Sequence, residues 1–343
     1  MEGIIQLDEN LYGIESPFSC GAEIFVRSYL AIGSKAAVLV DGGINGTERQ
    51  VLALLGELGI PPEKLRAVLL THAHADHAGA AQGLHEATGC AVIGHRVGEP
   101  LLRDRQLMYK DFMGAYPAYI SVPKTVREQW FAIAGPPLMP GVLIDFRRLL
   151  ECAGTTLETV PLIQQGWAHP RYFEPDRRFQ IDLDGLSLEA VPSPGHSWDH
   201  LCYYERERRW LFTGDGVCGS GPYNEPPCYR DSMAYRDTLN RLKELDVERL
   251  FPGHLDILER DGAAALLDES LHIITCIDGL VKAQLQSAPG GLSLEMIGRS
   301  LAEQLGKDYM IQALFTAEAH LREMEWKGLV ARYGIDQPTF VWL

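Results

Sequence analysis

The stretch Thr71-His72-Ala73-His74-Ala75-Asp76-His77-Ala78-Gly79 comes directly after a short apolar run at residues 67–70. In an extended loop, side chains two positions apart project to the same side, so His72 and His74 can hold one metal ion together. Asp76 and His77 are shifted in phase and can serve a second metal ion nearby. Imidazole and carboxylate together suit Zn²⁺, and also iron or manganese. The stretch therefore predicts a metal site at the end of a strand.

A metal centre needs more ligands than this loop offers, so the rest of the chain must supply them. Three candidates each follow a predicted strand, namely His196 in Pro194-Gly195-His196, Asp215 in Thr213-Gly214-Asp215-Gly216 and His254 in Phe251-Pro252-Gly253-His254. In each motif a small or turn-forming residue lets the backbone bring the side chain to the edge of a sheet. This repeated position favours metal ligation over three unrelated structural residues.

The segments around these motifs alternate between strand and helix patterns. A helix is predicted at residues 47–58, where leucines recur on one face and Gly59 and Pro61 follow the last turn. Strands are predicted at residues 24–32, 36–40, 67–70, 91–93, 186–191, 200–204 and 210–213. Charged residues 205–209 between the last two strands are typical of a solvated hairpin turn. This alternation predicts a layered α/β fold.

Residues 97–178 interrupt the alternation with many aromatic residues and prolines, including Tyr109, Phe112, Tyr119 and Trp130. They predict an inserted, partly helical cap. Two interpretations stay open for its aromatic side chains: a small core of the insertion itself, or a lid that faces the substrate.

After about Asp261 the pattern is helical to about Lys327, and two short β-like pieces at residues 329–333 and 339–343 close the chain. Helices followed by a hairpin predict a winged-helix module. Residues 285–343 carry five basic and seven acidic residues, a net charge of −2, whereas a DNA-reading module is normally basic. We expect this region to serve packing or dimerisation.

The composition narrows the classes of function and location. The 343 residues carry a formal net charge of −15, which repels phosphate backbones and disfavours nucleic acid as a partner. The first ten residues lack the pattern of a secretory signal, and no apolar run is long enough to span a bilayer. Seven scattered cysteines without a CxxC motif favour reduced thiols. We therefore expect a cytoplasmic protein without membrane contact.

From about residue 10 to 258, including the motifs from Asp41 to His254, the sequence resembles the metallo-β-lactamase superfamily. The resemblance implies a four-layer αββα sandwich at 1–258, with the insertion at about 97–178, and a helical, winged-helix-like domain at 259–343. It also implies two divalent metal ions, most simply Zn²⁺. Asp41 would orient the first loop without being a ligand. The implied ligands are His72, His74 and His196 for the first metal, Asp76, His77 and His254 for the second, and Asp215 bridging both.

Within the superfamily, the stretch Pro194-Gly195-His196-Ser197-Trp198-Asp199-His200 resembles the glyoxalase II, lactonase and thioesterase branch. The C-terminal tail is similar to that of β-lactamase-like protein 2, an endoribonuclease. The resemblance implies hydrolysis of an ester, lactone or thioester of a small acyl molecule by a metal-bridging hydroxide, with Asp76 helping to move the proton. Two alternatives stay open: a metal-dependent nuclease or phosphodiesterase, and a non-catalytic metal-binding regulatory protein. A homodimer is expected from the family.

Two further residues are candidates for catalysis. His200 lies four positions after His196 and either reaches the site, as a histidine does in glyoxalase II-like members, or is structural. Tyr223 follows Asp215 by eight positions in a loop rich in glycine and proline. Some lactonase relatives place a tyrosine hydroxyl near the bridging aspartate, where it stabilises an oxyanion. The positional match is loose, which favours an ordinary loop tyrosine.

Overall fold

The computed structural model describes residues 3–146, 179–183, 186–334 and 337–343. The first sheet is built from the N-terminal residues. Its strands are β1 (Ile4–Asp8), β2 (Leu11–Ser19), β3 (Glu23–Ile32), β4 (Ala37–Val40), β5 (Leu65–Leu69), β6 (Ala91–Gly94) and β7 (Leu143–Asp145). They lie in chain order, antiparallel from β1 to β4 and parallel from β4 to β7. The helices of this half are α1 (Thr47–Glu57), α2 (Ala75–Ala78), α3 (Ala81–Thr88), α4 (Glu99–Arg103), α5 (Arg105–Asp111) and α6 (Lys124–Ala134).

A second sheet follows in the chain. Its strands are β8 (Phe179–Leu183), β9 (Leu186–Pro192), β10 (Leu201–Glu205), β11 (Trp210–Gly214), β12 (Arg249–Pro252) and β13 (Leu258–Glu259). Their order is β13-β12-β11-β10-β9-β8, and β11 and β12 are parallel. Helices α7 (Ser232–Lys243) and α8 (Arg260–Gln286) accompany this sheet. The predicted hairpin turn between β10 and β11 is confirmed.

The two sheets pack face to face over a buried apolar layer that includes Tyr29, Val40 and Leu69 from the first sheet and Tyr203 and Phe212 from the second. A separate cluster joins the first sheet to α1, α3 and α6, and a third joins the second sheet to α7 and α8. Burying both faces of each sheet produces helix, sheet, sheet and helix layers. The predicted four-layer αββα architecture is therefore confirmed.

Helix α1 shows why the chain folds this way locally. Val51, Leu54 and Leu55 recur at helical spacing and are buried against the first sheet. The helix ends at Glu57 and is capped by Leu58. The next residue, Gly59, takes a φ of +66°, the left-handed conformation that glycine adopts without a steric cost. The predicted helix and its end are both confirmed.

The predicted insertion is partly helical over the residues that the structure describes. Helices α4, α5 and α6 lie in it, and so does β7, which pairs parallel with β6 and so belongs to the first sheet. Residues 147–178 of the predicted cap lie outside the described residues. The exact bounds of the cap and of the domains stay predictions.

The C-terminal residues form helices α9 (Leu294–Leu305) and α10 (Ile311–Trp326) and a small antiparallel sheet. That sheet contains β14 (Leu292–Ser293), β16 (Thr339–Trp342) and β15 (Val330–Tyr333) in this order. The predicted helical C-terminal region is confirmed, while its winged-helix character stays a prediction. Within the described ranges, none of the helices combines the length and apolar character needed to cross a membrane.

The turn before His196 depends on glycine. Gly195 has a φ of +143°, and a Cβ atom there would lie 2.5 Å from the Cα atom of Tyr235. We expect Gly195→Ala to lower the free energy of unfolding by about 2 kcal/mol, because it combines a strained backbone with a steric clash. Urea unfolding of the metal-free protein measures this. The control is Gly279→Ala inside α8, where a Cβ atom meets open space and a helix-favouring alanine should stabilise by about 0.5–1 kcal/mol. Equal stability of Gly195→Ala and the wild type would contradict the expectation.

Candidate metal centre and substrate cavity

The predicted ligands come together at one edge of the sandwich. His72 and His74 lie in the loop between β5 and helix α2, and Asp76 and His77 lie in α2 itself. His196 follows β9, Asp215 follows β11 directly, and His254 follows β12. Because β4, β5 and β6 are parallel, as are β11 and β12, their carboxyl ends deliver these loops to the same edge.

The seven side chains form two neighbouring groups, each able to place its ligand atoms within 4.8 Å of one another. The groups are His72, His74, His196 and Asp215, and Asp76, His77 and His254. They match the predicted division between two metals.

Asp215 lies between the two groups. Its Oδ2 atom is 3.6 Å from His196 Nε2 and 4.0 Å from His72 Nε2. Its Oδ1 atom is 3.2 Å from His77 Nε2 and 3.6 Å from His254 Nε2. Each carboxylate oxygen therefore faces a different group, which is the arrangement expected of a bridging residue.

Asp41 fixes the orientation of two histidines and of the loop between them. Its carboxylate accepts hydrogen bonds from the Thr71 backbone N–H (2.7 Å) and the Thr71 hydroxyl (2.9 Å). It also lies 2.8 Å from His77 Nδ1. The Thr71 hydroxyl in turn lies 3.0 Å from His72 Nδ1. Since a carboxylate only accepts hydrogen bonds, His77 carries a proton on Nδ1. The Thr71 hydroxyl gives its own proton to Asp41 and therefore accepts from Nδ1 of His72. In both rings Nε2 is the atom that faces inward.

Backbone carbonyls orient two other histidines. His196 Nδ1 lies 2.8 Å from the Cys228 carbonyl oxygen, and His254 Nδ1 lies 2.5 Å from that of Phe25. A carbonyl likewise only accepts, so Nδ1 carries the proton and Nε2 faces the other groups. The sequence pattern did not indicate these partners, because any residue supplies a backbone carbonyl.

The donor set fits divalent cations. Among the described residues, four buried atoms of the cluster have no hydrogen-bond partner: Nε2 of His72, His74 and His77, and Oδ1 of Asp215. Buried polar atoms without partners are costly in a folded protein, and a cation would satisfy those that face the two groups. Imidazole nitrogens with carboxylate oxygens are the ligands expected for Zn²⁺ or a similar transition metal.

A cavity of about 590 Å³ opens above the cluster. Its floor includes His74, Asp76, His196, Asp215 and His254. Its walls are mostly apolar and come from several parts of the chain. Representative wall residues are Phe18 and Ile24, then Met108, Phe112, Tyr119 and Trp130 of the cap, then Val217 and Pro222, and finally Met310 and Ile311 of the C-terminal region.

The aromatic side chains of the cap divide between the two predicted roles. Phe112 and Tyr119 line the cavity. Tyr109 packs against Trp130 and Phe131, each with ring centroids 5.4 Å apart, and so contributes to the cap's own core. Trp130 both lines the cavity and packs against Tyr109 in the core of the cap.

Comparison with known proteins identifies the family. The family model described as the metallo-beta-lactamase superfamily matches residues 22–254. The chain belongs to this superfamily. Together with the histidine and aspartate cluster, this makes the protein a metal-dependent hydrolase.

Solved structures of the superfamily share the fold. A metallo-beta-lactamase family protein from Thermus thermophilus is 19% identical, with a TM-score of 0.68, and the match covers 98% of this chain and 100% of that one. A beta-lactamase domain protein from Burkholderia ambifaria is 15% identical, with a TM-score of 0.70, over 99% and 94% of the two chains.

Curated relatives match over a short stretch. The exodeoxyribonuclease WalJ of Streptococcus pneumoniae is 36% identical over 66 residues, which is 19% of this chain and 22% of that protein. The chain thus matches about a fifth of the length of this relative.

The charges of this superfamily site divide the histidines into two kinds. Burial is the main cause that lowers the pKa of His72, His74 and His196, so these rings are neutral and ready to donate a lone pair. Burial also opposes protonation of His77 and His254, but neighbouring carboxylates prevail. Asp215 and Asp41 raise the pKa of His77 well above its usual value, and Asp215 and Asp76 raise the pKa of His254 to about 9. Burial would raise the pKa of Asp76, but His77 and His254 lower it to about 2.

Metal uptake is therefore expected to release a proton from His254. Below pH 9 the metal-free protein holds this proton, and a ligand nitrogen must lose it, so the release falls as the pH rises through about 9. Calorimetric titration of metal-free protein with Zn²⁺ in two buffers of different ionisation enthalpy counts the protons. At pH 7.5, His254→Ala should release fewer protons than the wild type. The exposed His272→Ala should match the wild type, and an unchanged count in His254→Ala would contradict the assignment.

His200 lies behind the cluster. It is fully buried, its Nδ1 atom is 2.8 Å from the Ser193 hydroxyl, and its ring stacks on His72 with centroids 5.1 Å apart. It is absent from the described residues that line the cavity. This placement favours the structural interpretation, and a catalytic role stays a prediction.

Tyr223 does line the cavity, at a backbone φ of +50°. Its hydroxyl accepts a hydrogen bond from the Phe25 N–H (2.9 Å) and lies 3.3 Å from the Phe25 carbonyl oxygen. In this position the hydroxyl supports the strand segment that holds His254. To stabilise an oxyanion beside Asp215, the hydroxyl would have to leave Phe25. This catalytic role of Tyr223 stays a prediction.

Among the described residues, Asp278, His320 and Glu323 form a third group of potential ligands, remote in sequence from the motifs. Here the side chains already have partners. Glu323 pairs with Arg236 and Lys327, and His320 Nε2 lies 2.8 Å from the Tyr229 hydroxyl. The Arg236–Glu323 pair joins α7 and α10, so the group has a structural explanation.

Proposed function

We propose that this hydrolase cleaves the carbonyl bond of an ester, lactone or thioester in a small apolar acyl molecule. The observation that carries the proposal is the cavity above the metal cluster, whose floor holds the candidate ligands while its walls are largely apolar. Such a cavity of about 590 Å³ suits a small acyl compound with its reactive carbonyl at the cluster. This agrees with the resemblance to the glyoxalase II, lactonase and thioesterase branch.

In this proposal two divalent cations, Zn²⁺ or alternatively iron or manganese, occupy the two groups of ligands. His72, His74 and His196 would hold one, Asp76, His77 and His254 the other, and Asp215 would contact both. When bound, such ions polarise a substrate oxygen and lower the pKa of water to about 7, so that hydroxide is present at neutral pH.

The protein's own groups complete the chemistry. Asp41 and the two backbone carbonyls accept the Nδ1 protons of His77, His196 and His254, so Nε2 is the atom of each ring that is available to a metal. Asp76 uses its Oδ2 atom toward His254 at 3.1 Å, while no hydrogen bond to the described residues engages its Oδ1 atom. We assign to that Oδ1 atom the transfer of a proton from the attacking water to the leaving group. The apolar walls exclude competing water from the acyl portion of the substrate.

A nuclease or phosphodiesterase is the second candidate, favoured by the partial match to the exodeoxyribonuclease WalJ. The net charge of −15 and the cavity argue against it. Of the described lining residues, Arg299 is the only lysine or arginine, and it is 2.9 Å from Glu295. A polyanionic substrate would normally require a row of cationic side chains.

A substrate panel tests the proposal. Purified protein is assayed against aryl esters, lactones, acyl thioesters, bis-aryl phosphodiesters and single-stranded DNA and RNA, with a His72→Ala/His196→Ala double variant as the blank and His272→Ala as the matched control. Turnover of carbonyl substrates that disappears only in the double variant supports the proposal. Turnover confined to phosphodiesters or nucleic acid would refute it in favour of the nuclease. Bound metal without any turnover would favour the non-catalytic alternative.

A further inference from the structure

The C-terminal region forms part of the candidate active site. Arg299, Tyr309, Met310, Ile311 and Gln312 line the same cavity as the metal cluster. The cap meets this region directly. Phe112 stacks on Phe315 of α10 with centroids 5.5 Å apart, and the Tyr116 hydroxyl donates to Glu318 at 2.6 Å.

Residues 307–316 of the C-terminal region also form hydrogen bonds with the loop at residues 221–228. The Asp308 N–H donates to the Asn224 carbonyl (3.0 Å), and Lys307 Nζ donates to the Tyr223 carbonyl (3.2 Å). The Thr316 hydroxyl donates to the Pro227 carbonyl. The next residue of the loop, Cys228, carries the carbonyl that orients His196. Packing of the C-terminal region against this loop therefore helps to fix the position of the Cys228 carbonyl and, through it, the orientation of His196.

Glu225 stands out within this loop because it is a carboxylate in a largely apolar wall. Its Oε2 atom accepts a hydrogen bond from Gln312 Nε2 at 2.8 Å, and its Oε1 atom has no hydrogen-bond partner among the described residues. Burial is the main cause that raises the pKa of Glu225. His254 acts against this rise, while Asp76 and Asp215 add to it. Glu225 lines the same cavity as Asp76, Asp215 and His254, and it belongs to neither group of potential metal ligands.

A carboxylate in such surroundings is costly unless its oxygens are bonded. Gln312 satisfies one oxygen and fixes the direction of the other. We propose that Glu225, positioned by Gln312, selects acyl substrates that carry a hydrogen-bond donor, a hydroxyl or an ammonium group, near the reacting carbonyl. This inference rests on the proposed function, and it gives the C-terminal region a role in substrate selection.

The test compares ligands that differ in one group. The values of kcat/KM are measured for aryl thioesters of octanoate, 3-hydroxyoctanoate and 3-aminooctanoate. Calorimetry measures the binding of the three free acids to the metal-loaded protein. A hydrogen bond to a charged acceptor predicts a preference of about ten- to one hundred-fold for at least one donor-bearing ligand over octanoate.

Variants assign the preference to the pair. Glu225→Leu should abolish it, judged by the ratio of each donor-bearing ligand to octanoate in the same variant, and Gln312→Leu should weaken it. Glu225→Gln keeps an acceptor without the charge, so it should retain preference for the hydroxyl and lose preference for the ammonium group. The control is Gln304→Leu on the exposed face of α9, which should behave as the wild type. Metal content and melting temperature identify any variant that fails to fold. If Glu225→Leu fails to fold, the loss of the ammonium preference in Glu225→Gln tests the inference in its place.

The outcomes separate this inference from the proposed function. Absence of thioester turnover alone would count against the function, while the calorimetric comparison would still decide the inference. Wild-type protein that binds octanoate as tightly as both donor-bearing acids would overturn the inference, and so would a preference that survives in Glu225→Leu. A preference lost in Glu225→Leu and retained in Gln304→Leu supports it.

Discussion

Replacing Asp215 with alanine is expected to lower kcat/KM by about 10³-fold or more, a loss of several kcal/mol in transition-state stabilisation. Its two oxygens face different groups of ligands, at 3.2 Å from His77 Nε2 and 3.6 Å from His196 Nε2. No other side chain in the described part of the chain lies between both groups in this way. Its removal therefore weakens both sites at once and leaves their like charges uncompensated.

Kinetics on whichever substrate the panel identifies, together with metal analysis by mass spectrometry, measures the effect of Asp215→Ala. Bound metal should fall below two ions per chain. Asp237→Ala on the exposed face of α7 is the matched control and should keep full activity and metal content. If Asp215→Ala kept two ions and lost less than ten-fold in activity, the carboxylate would not bridge the groups.

The ligands themselves could be predicted because each follows a strand in the sequence. His196, Asp215 and His254 come shortly after apolar runs, and the strands end where those runs end. Parallel neighbours then bring the loops together at one edge. A local pattern was sufficient here because the topology converts similar positions along the chain into proximity in space.

Other features had no local pattern to reveal them. Strands β1 and β2 and helix α7 were not predicted from the sequence. Helix α7 is strongly polar on one face. Its residues Tyr235, Leu239 and Leu242 are buried because the helix packs on the second sheet, and this packing is not visible in the local sequence. The carbonyl partners of His196 and His254 carry no side-chain signature at all.

Glu225 and Gln312 show a third limit. They are 87 positions apart, and each lies in a segment whose spacing suggests nothing about the other. The loop rich in glycine and proline that contains Tyr223 follows Asp215 closely in the sequence, and this closeness is the available signal for Glu225. The pairing itself depends on how the C-terminal region packs on the sandwich, and no local periodicity reports that contact.

Asp41→Asn is expected to weaken binding of the metal at Asp76, His77 and His254 by about 100-fold, at the upper end of what residues behind metal ligands contribute. Asparagine keeps the shape of aspartate and tolerates the φ of +60° at this position. Its amide oxygen can still accept from the Thr71 N–H, which leaves the amide NH₂ facing His77 Nδ1. That NH₂ donates a hydrogen bond, so His77 must move its proton to Nε2, where it blocks the lone pair needed by the metal.

Rotation of the new side-chain amide by 180° in Asp41→Asn does not restore the wild-type hydrogen bonds. Its NH₂ would then face the Thr71 N–H, and two donors cannot form a hydrogen bond. Competition with a chelator of known affinity measures metal binding, and urea unfolding of the metal-free protein serves as the stability control. The first metal should be affected less, since His72 receives the change only through the Thr71 hydroxyl. The exposed Asp256→Asn should leave both affinities unchanged. Wild-type affinity for both metals in Asp41→Asn would show that the proton position on His77 is set by something other than this carboxylate.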